Sequence, residues 1–157
     1  VVSVIYLGVQ IHQQNEITKA QFGHSLTQRQ YERYFATAKD GEFANFLSKD
    51  WSSDELTDAE NWRSTMFIIM CLVDIFDAYE KVDKGFVDKK HLDIRMNALK
   101  FGTMKTDKAR SAWDFWKTTR DQKFIDWFES EIYGEGQLDA DELLEQTKGG
   151  SFKASIR

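Results

Sequence analysis

The hydrophobic positions of this chain fall into separate segments, and the first segment lies at its beginning. Residues 1–11 read VVSVIYLGVQI, in which Ser3 and Gln10 are the only clearly polar positions. A helix that crosses a bilayer needs about 20 apolar residues, so this segment is about half of one. It lacks the basic start and small-residue cleavage site of a signal peptide, and it lacks the polar face of a core helix. We therefore expect the C-terminal part of a membrane-spanning helix.

This interpretation assigns anchor residues and a location. An aromatic residue followed by the polar stretch QIHQQN is typical of the passage from lipid into the interface. The chain has a single cysteine, Cys71, and therefore no internal disulfide, which suits a reducing compartment. We expect a protein that crosses a membrane once, with its domain on the cytoplasmic side. The expected anchor residues are Val1, Val2, Val4, Ile5, Tyr6, Leu7, Val9 and Ile11.

Residues 12–38 predict a polar, glutamine-rich stalk helix in which Gly23 is the only residue that disfavours a helix. Residues recur there at a spacing of seven, in a coiled-coil pattern too polar to specify a two-stranded zipper. The stalk either lies along its own domain or assembles side by side with other copies, and the pattern leaves both open. The two rows are Ile17, His24, Tyr31 and Ala38, and Ala20, Thr27 and Tyr34. The residues expected to hold copies together are Ile11, Ile17, Ala20 and His24.

Residues 39–133 carry apolar positions at helical spacing and predict a small helical bundle. Its longest helix begins near Asp58, a good N-cap, and ends near Gly85. The middle of this helix, Met66 to Val73, is apolar on all sides, so we expect other helices to enclose it. Residues 134–157 form a tail with a short helix predicted from 139 to 146. The expected core residues are Trp62, Met66, Ile69, Phe76, Trp113, Trp116, Phe124 and Phe128.

The composition supports an all-α fold and narrows the classes of partner. The chain has 157 residues, enough for one domain with a core. It has no proline, where average usage predicts about eight. Proline disrupts helices, so its absence suits a chain of uninterrupted helices. The formal net charge of −5 disfavours nucleic acid as a partner, because phosphates are bound by basic surfaces.

Asp74 and Asp77 follow the apolar run and are the polar residues of the bundle expected to be partly buried. Together with His91 they are the one candidate polar site, since buried carboxylates serve as acid–base or metal groups. The same spacing also lets them face solvent or pair with Arg and Lys on a neighbouring helix, and the pattern leaves these alternatives open. No zinc, di-iron, phosphate-loop or nucleophile-elbow motif is present, so no cofactor, metal ligand or catalytic residue is predicted.

The chain runs from an apolar helix into a polar helix, and then through EFANFL, RSTMFIIMCLVDIFDAYEKVDKGFVD, WKTTR and FIDWFE. This order, from Val1 to Gly134, resembles a broad group of uncharacterised bacterial membrane-anchored helical proteins that are classed as domains of unknown function. The resemblance implies one N-terminal anchor and a small helical domain, and it implies no catalytic residues.

These patterns together predict an all-α protein in which an N-terminal anchor and stalk helix precede a small bundle. The expected function is that of a non-enzymatic, membrane-anchored scaffold that acts through self-assembly or partner binding. Its expected partners are membrane lipid and either further copies of the chain or a component of a membrane complex. The alternative is a bundle that binds a small molecule or a metal at Asp74, Asp77 and His91, as a sensor or an enzyme.

Overall fold

The computed structural model describes residues 2–100 and 102–134, and all regular structure in these residues is helical. The predicted all-α class is confirmed. Val1 and residues 135–157, which hold most of the predicted tail and its short helix, lie outside the described residues. The α-helices are α1 (Val2–Lys39), α2 (Gly41–Leu47), α3 (Asp58–Asp83), α4 (Lys90–Lys100), α5 (Asp107–Trp116) and α6 (Gln122–Tyr133). Short 3-10 turns cover Thr103–Lys105 and Lys117–Thr119.

The structure does not support the predicted membrane-spanning helix. Within residues 2–100 and 102–134, no helix combines the length and the apolar character needed to cross a membrane. The apolar part of α1 is followed in the same helix by His12 and a run of amide side chains. At 1.5 Å per residue, the apolar part covers about 15 Å, which is half of a hydrocarbon core about 30 Å thick. The single-pass membrane location with a cytoplasmic domain is therefore contradicted.

α1 differs along its length in how it meets the rest of the protein. Every residue from 2 to 17 is exposed, and we call this part the free segment. Thr18 is the first half-buried residue of the helix, and Leu26 is the residue of the helix that is fully buried. The free segment is about 24 Å long at the rise of an α-helix. α1 is therefore one continuous helix whose second half packs on the bundle formed by α2 to α6.

α3 is the central helix of the bundle, and its ends are fixed by local hydrogen bonds. Thr57, rather than the predicted Asp58, is its N-cap, and it forms a capping box with Glu60. Hydrogen bonds from Lys49 and from Thr57 lower the pKa of Glu60 to about 2. Gly85 has a φ of +70°, as predicted for the glycine that ends this helix. The amide of Phe86 donates to the carbonyl of Lys81 at 2.8 Å, which closes the last turn.

An aromatic cluster forms the part of the core between α3, α5 and α6. Phe124 and Phe128 are fully buried, and Trp113 is 1% exposed. The rings of Trp113 and Phe128 lie 4.2 Å apart between centroids. Phe76 and Trp116, also predicted core residues, are half-buried and pack against this cluster. The aromatic rows of the sequence are thus confirmed as core contacts.

The expectation that helices enclose the middle of α3 is wrong. The buried positions of α3 recur every three or four residues on one side, whereas Trp62 is 67% exposed and Met66 is 37% exposed. Met70 and Val73 are also exposed. We call these four residues the α3 stripe. The helix is apolar on all sides, but its neighbours cover only part of its circumference.

Candidate functional site

The second half of α1 is attached to α3 largely through charged side chains. Arg29 and Arg33 lie one turn apart on α1, and both face carboxylates of α3. Nη2 of Arg33 donates to Oδ2 of Asp74 at 2.8 Å. Nη2 of Arg29 donates to Asp77, and its Nη1 lies 3.6 Å from the second oxygen of Asp74. These contacts fix the position of α1 on the bundle.

Arg95 of α4 joins three helices at the centre of this arrangement. Its Nε donates to Oδ2 of Asp74 at 2.8 Å, and its Nη2 donates to the carbonyl of Leu26 at 2.7 Å. Its Nη1 donates to the carbonyl of His91 one turn back on α4, at 2.8 Å. The Arg95 side chain is 1% exposed, so its charge is compensated by a buried partner and by carbonyl dipoles rather than by water.

Asp74 and Asp77, two residues of the predicted polar site, do lie together. Asp74 is buried and Asp77 is half-buried, and cations from α1, α3 and α4 pair with them. Burial opposes ionisation of Asp77, but hydrogen bonds from Lys81 and Arg29 outweigh it and lower the pKa of its carboxyl. In residues 2–100 and 102–134 there is no group of three or more His, Cys, Asp or Glu residues that could hold a metal ion. The arrangement is that of an ion-pair network between helices.

His91, the third residue of the predicted polar site, contributes its backbone rather than its ring to this network. Its carbonyl accepts from Arg95, whereas its imidazole lies against Gly23 of α1. A Cβ at Gly23 would lie 3.6 Å from Nε2 of His91, which is an ordinary van der Waals contact, so α1 and α4 approach closely here without requiring a glycine. Burial lowers the pKa of His91, and the charges of Arg95 and Lys90 lower it further.

Sequence reasoning missed Arg95, although the sequence carries a signal for it. Leu92, Met96 and Leu99 form the buried face of α4, at positions i, i+4 and i+7. Arg95 lies three residues after Leu92 and four before Leu99, and therefore lies on the same face. A cation on an apolar helix face predicts a buried carboxylate opposite, and Asp74 is that carboxylate.

The two rows of seven-residue spacing in α1 are exposed over the whole length of the helix. α1 already includes the residues from Val2 onward, so each row continues toward the N-terminus beyond Ile17 and Ala20, where the predicted rows began. We call the combined rows the α1 seam. Its first row is Tyr6, Gln13, Ala20, Thr27 and Tyr34, and its second is Gln10, Ile17, His24, Tyr31 and Ala38, all exposed.

The predicted self-association residues of α1 are all exposed, but they do not all share one side. Ile17, Ala20 and His24 belong to the α1 seam. Ile11 follows Leu7 by four residues and Val4 by seven, so these three residues line a different side of the helix. The free segment therefore presents apolar residues on more than one side.

Cys71 lies in the core, as expected for a thiol in an apolar run. Burial raises the pKa of its thiol to about 11. At pH 8 the thiolate, which is the reactive form, is then a minute fraction of the population. We expect the native chain to react with iodoacetamide at pH 8 far more slowly than the urea-unfolded chain. Equal alkylation rates, measured by intact mass, would contradict the buried position.

Comparisons with protein-family models, with curated proteins and with solved structures found no match to this chain. The resemblance to uncharacterised bacterial helical proteins therefore stays a prediction. Among the surfaces of the described residues, the free segment and the α1 seam are the most unusual.

Proposed function

We propose that this chain is a non-enzymatic assembly protein whose copies associate through α1. The observation that carries the proposal is that a continuous helix extends through the free segment with every side chain exposed. An isolated helix of this length is only marginally stable in water, because packing normally supplies most helical stability. The free segment includes eight large exposed apolar residues: Val2, Val4, Ile5, Tyr6, Leu7, Val9, Ile11 and Ile17.

A second copy of α1 is the partner that the α1 seam fits best. None of the seam residues is Asp, Glu, Lys or Arg, so two seams in contact bury no unpaired carboxylate, ammonium or guanidinium group. Each glutamine amide has both donors and an acceptor, so Gln10 and Gln13 can bond to the same residue types on another copy. Small residues at Ala20 and Ala38 allow close approach of two backbones. The seam is thus complementary to itself.

The length of α1 also suits a self-association surface. At 38 residues it is about 57 Å long. Because about four of every seven residues of a paired helix face its neighbour, about 20 residues of each copy can meet, namely the seam residues and those that flank them. Stable protein interfaces use about 20–30 residues on each side. Because the free segment is apolar on more than one side, one neighbouring helix leaves part of it uncovered. We therefore expect assemblies larger than a dimer.

The alternative of a ligand site at Asp74, Asp77 and His91 has no comparable support. Cations of this chain already pair with both carboxylates. A metal ion or a cationic ligand would have to displace these partners, which would also detach α1 from the bundle. The network is better explained as the attachment that orients α1 and leaves its seam outward.

The proposal predicts that charge placed in the seam separates the copies. The double variant Ile17→Glu/Tyr31→Glu brings like charges together in the interface, and such contacts cost several kcal/mol. We expect its dissociation constant to rise at least about 100-fold, equivalent to about 3 kcal/mol. Sedimentation equilibrium should show a multiple of the monomer mass for the wild-type chain and the monomer mass for the double variant.

Phe115→Glu is the matched control, because Phe115 is 77% exposed on α5, away from the seam. It should keep the wild-type mass, and all three chains should have similar melting temperatures when dissociated. A wild-type chain that stays monomeric at its highest soluble concentration would refute the proposal. Flotation of such a monomer with phosphatidylcholine vesicles would show that lipid, and not a second copy, covers the helix.

A further inference from the structure

We infer that the α3 stripe is a second docking surface, and that its occupant is the side of α1 formed by Val4, Leu7 and Ile11 in another copy. This inference rests on the proposed self-assembly and specifies a contact within it. The stripe residues lie at i, i+4, i+8 and i+11 on α3, and so form one continuous ridge on the surface of the bundle. Their exposed fractions are 67% for Trp62, 37% for Met66, 45% for Met70 and 48% for Val73.

The free segment of the same chain cannot cover this stripe. α1 runs antiparallel to α3: Phe22 contacts Phe86, just beyond the C-terminal end of α3, whereas Arg33 reaches Asp74 further back along α3. The free segment precedes Phe22 in the same continuous helix, and therefore extends past the C-terminal end of α3. The stripe begins at Trp62, near the opposite end. Only the free segment of another copy can reach it without breaking α1.

The two surfaces match in charge and in shape. Residues 2–15 contain no Asp, Glu, Lys or Arg, and neither does the stripe, so their contact buries none of these charges. Val4, Leu7 and Ile11 form a ridge about 10 Å long, and the stripe is about 16 Å long at the same rise per residue. Ridges of one helix pack into the grooves of another at helix separations of about 8–10 Å. An apolar helix is thus an occupant that the stripe accepts.

The size of the stripe decides what this contact does in the assembly. A Met or Val side chain presents on the order of 100 Å² when fully exposed, and a Trp side chain about 200 Å². At their exposed fractions the four side chains therefore offer roughly 250 Å², whereas a specific interface uses about 800 Å² from each partner. The stripe is too small to hold two copies together by itself. It acts by linking copies that the α1 seam already pairs.

A contact between two different surfaces is heterologous, and it continues from copy to copy until a ring closes or a filament grows. The Met70→Glu variant should therefore keep the seam-linked pair and lose the larger species. Ile17→Glu/Tyr31→Glu, in contrast, should lose both. Sedimentation velocity of the full chain separates these outcomes by the size of the species that remain.

Disulfide trapping between two variants tests the contact directly. Leu7→Cys and Met66→Cys chains are purified separately, mixed, and oxidised with copper phenanthroline. We expect a cross-linked pair that contains one chain of each kind, because a disulfide requires Cα atoms within about 7 Å. Cys71 adds no background, since it is buried. Phe115→Cys in place of Met66→Cys is the control, and it should give no cross-link with Leu7→Cys above the level of chance collision.

The two hypotheses fail in different ways. A wild-type chain that assembles, while Leu7→Cys joins Met66→Cys no faster than it joins Phe115→Cys, would overturn the stripe contact and leave the seam in place. Unchanged assembly size in Met70→Glu would overturn the stripe contact in the same way. A monomeric wild-type chain would overturn both hypotheses.

Discussion

Replacing Asp74 with alanine is expected to lower the free energy of unfolding by about 3–5 kcal/mol. Arg95 is buried, and Asp74 is the carboxylate that receives its Nε–H. Without Asp74, the guanidinium keeps its hydrogen bonds to two carbonyls but loses its negative partner. An unpaired charge at such a site is costly, because protein dipoles replace only part of the solvation that water provides. Urea unfolding followed by circular dichroism measures the change.

The reciprocal substitution is expected to cost less, which makes the prediction specific. In Arg95→Met, Asp74 keeps Arg33 at 2.8 Å and Arg29 at 3.6 Å, and the methionine fills the space of the arginine stem. Asp77→Ala is the control at a more exposed position. The Asp77 side chain is 32% exposed, and its partner Arg29 is 38% exposed. The double variant Asp74→Leu/Arg95→Met should recover part of the loss. A cost for Asp74→Ala no greater than that for Asp77→Ala would refute the central role of Asp74.

Trp113→Ala is expected to destabilise the protein by about 3–5 kcal/mol, the usual range for removing a buried tryptophan. The indole packs against Phe128 at 4.2 Å and Phe124 at 6.1 Å between ring centroids. Its Nε1 donates to Glu129 at 2.9 Å, and Glu129 keeps Lys117 as a partner when the indole is removed. The loss therefore comes mainly from the cavity and the lost apolar burial rather than from an unpaired carboxylate.

Trp62→Ala is the matched control, since it removes the same side chain from the surface of α3. In the dissociated chain its cost should stay within about 0.5 kcal/mol, as for most exposed positions. Both variants are compared in urea under conditions where the chain is monomeric. Similar costs for the two substitutions would contradict the burial pattern, because the same residue type would then be equally important on both sides of the bundle.

The sequence was sufficient to predict the fold class and the approximate ends of the central helix. Helical spacing, the absence of proline and the cap signals around α3 are local properties, and they predicted the all-α fold and the glycine at position 85. Burial of single residues was less predictable. Trp62 and Trp113 are both tryptophans in apolar helical rows, but Trp113 is buried whereas Trp62 is mostly exposed. Which side of an apolar helix is covered depends on tertiary contacts.

The candidate site was predicted in part. The seven-residue spacing identified the rows through Ile17 and Ala20 that prove to be exposed, because periodicity defines a helix side even without knowledge of its neighbours. The spacing of Asp74 and Asp77 allowed pairing with arginine and lysine, and the structure has that pairing. Arg95 was missed because its role depends on a carboxylate that is distant in sequence. The anchor interpretation is not supported, because the apolar stretch of α1 is too short to cross a membrane within residues 2–100 and 102–134.

Amide hydrogen exchange of residues 2–17, followed over a range of protein concentrations, tests most directly whether another copy covers the free segment. Helical amides in a marginally stable segment exchange fast, and packing against a neighbour slows them. The account predicts strong protection of these amides at high concentration and its loss on dilution, while amides around Ile68 and Leu72 stay protected throughout. Fast exchange of residues 2–17 at every concentration, or protection that does not change on dilution into the monomeric range, would contradict it.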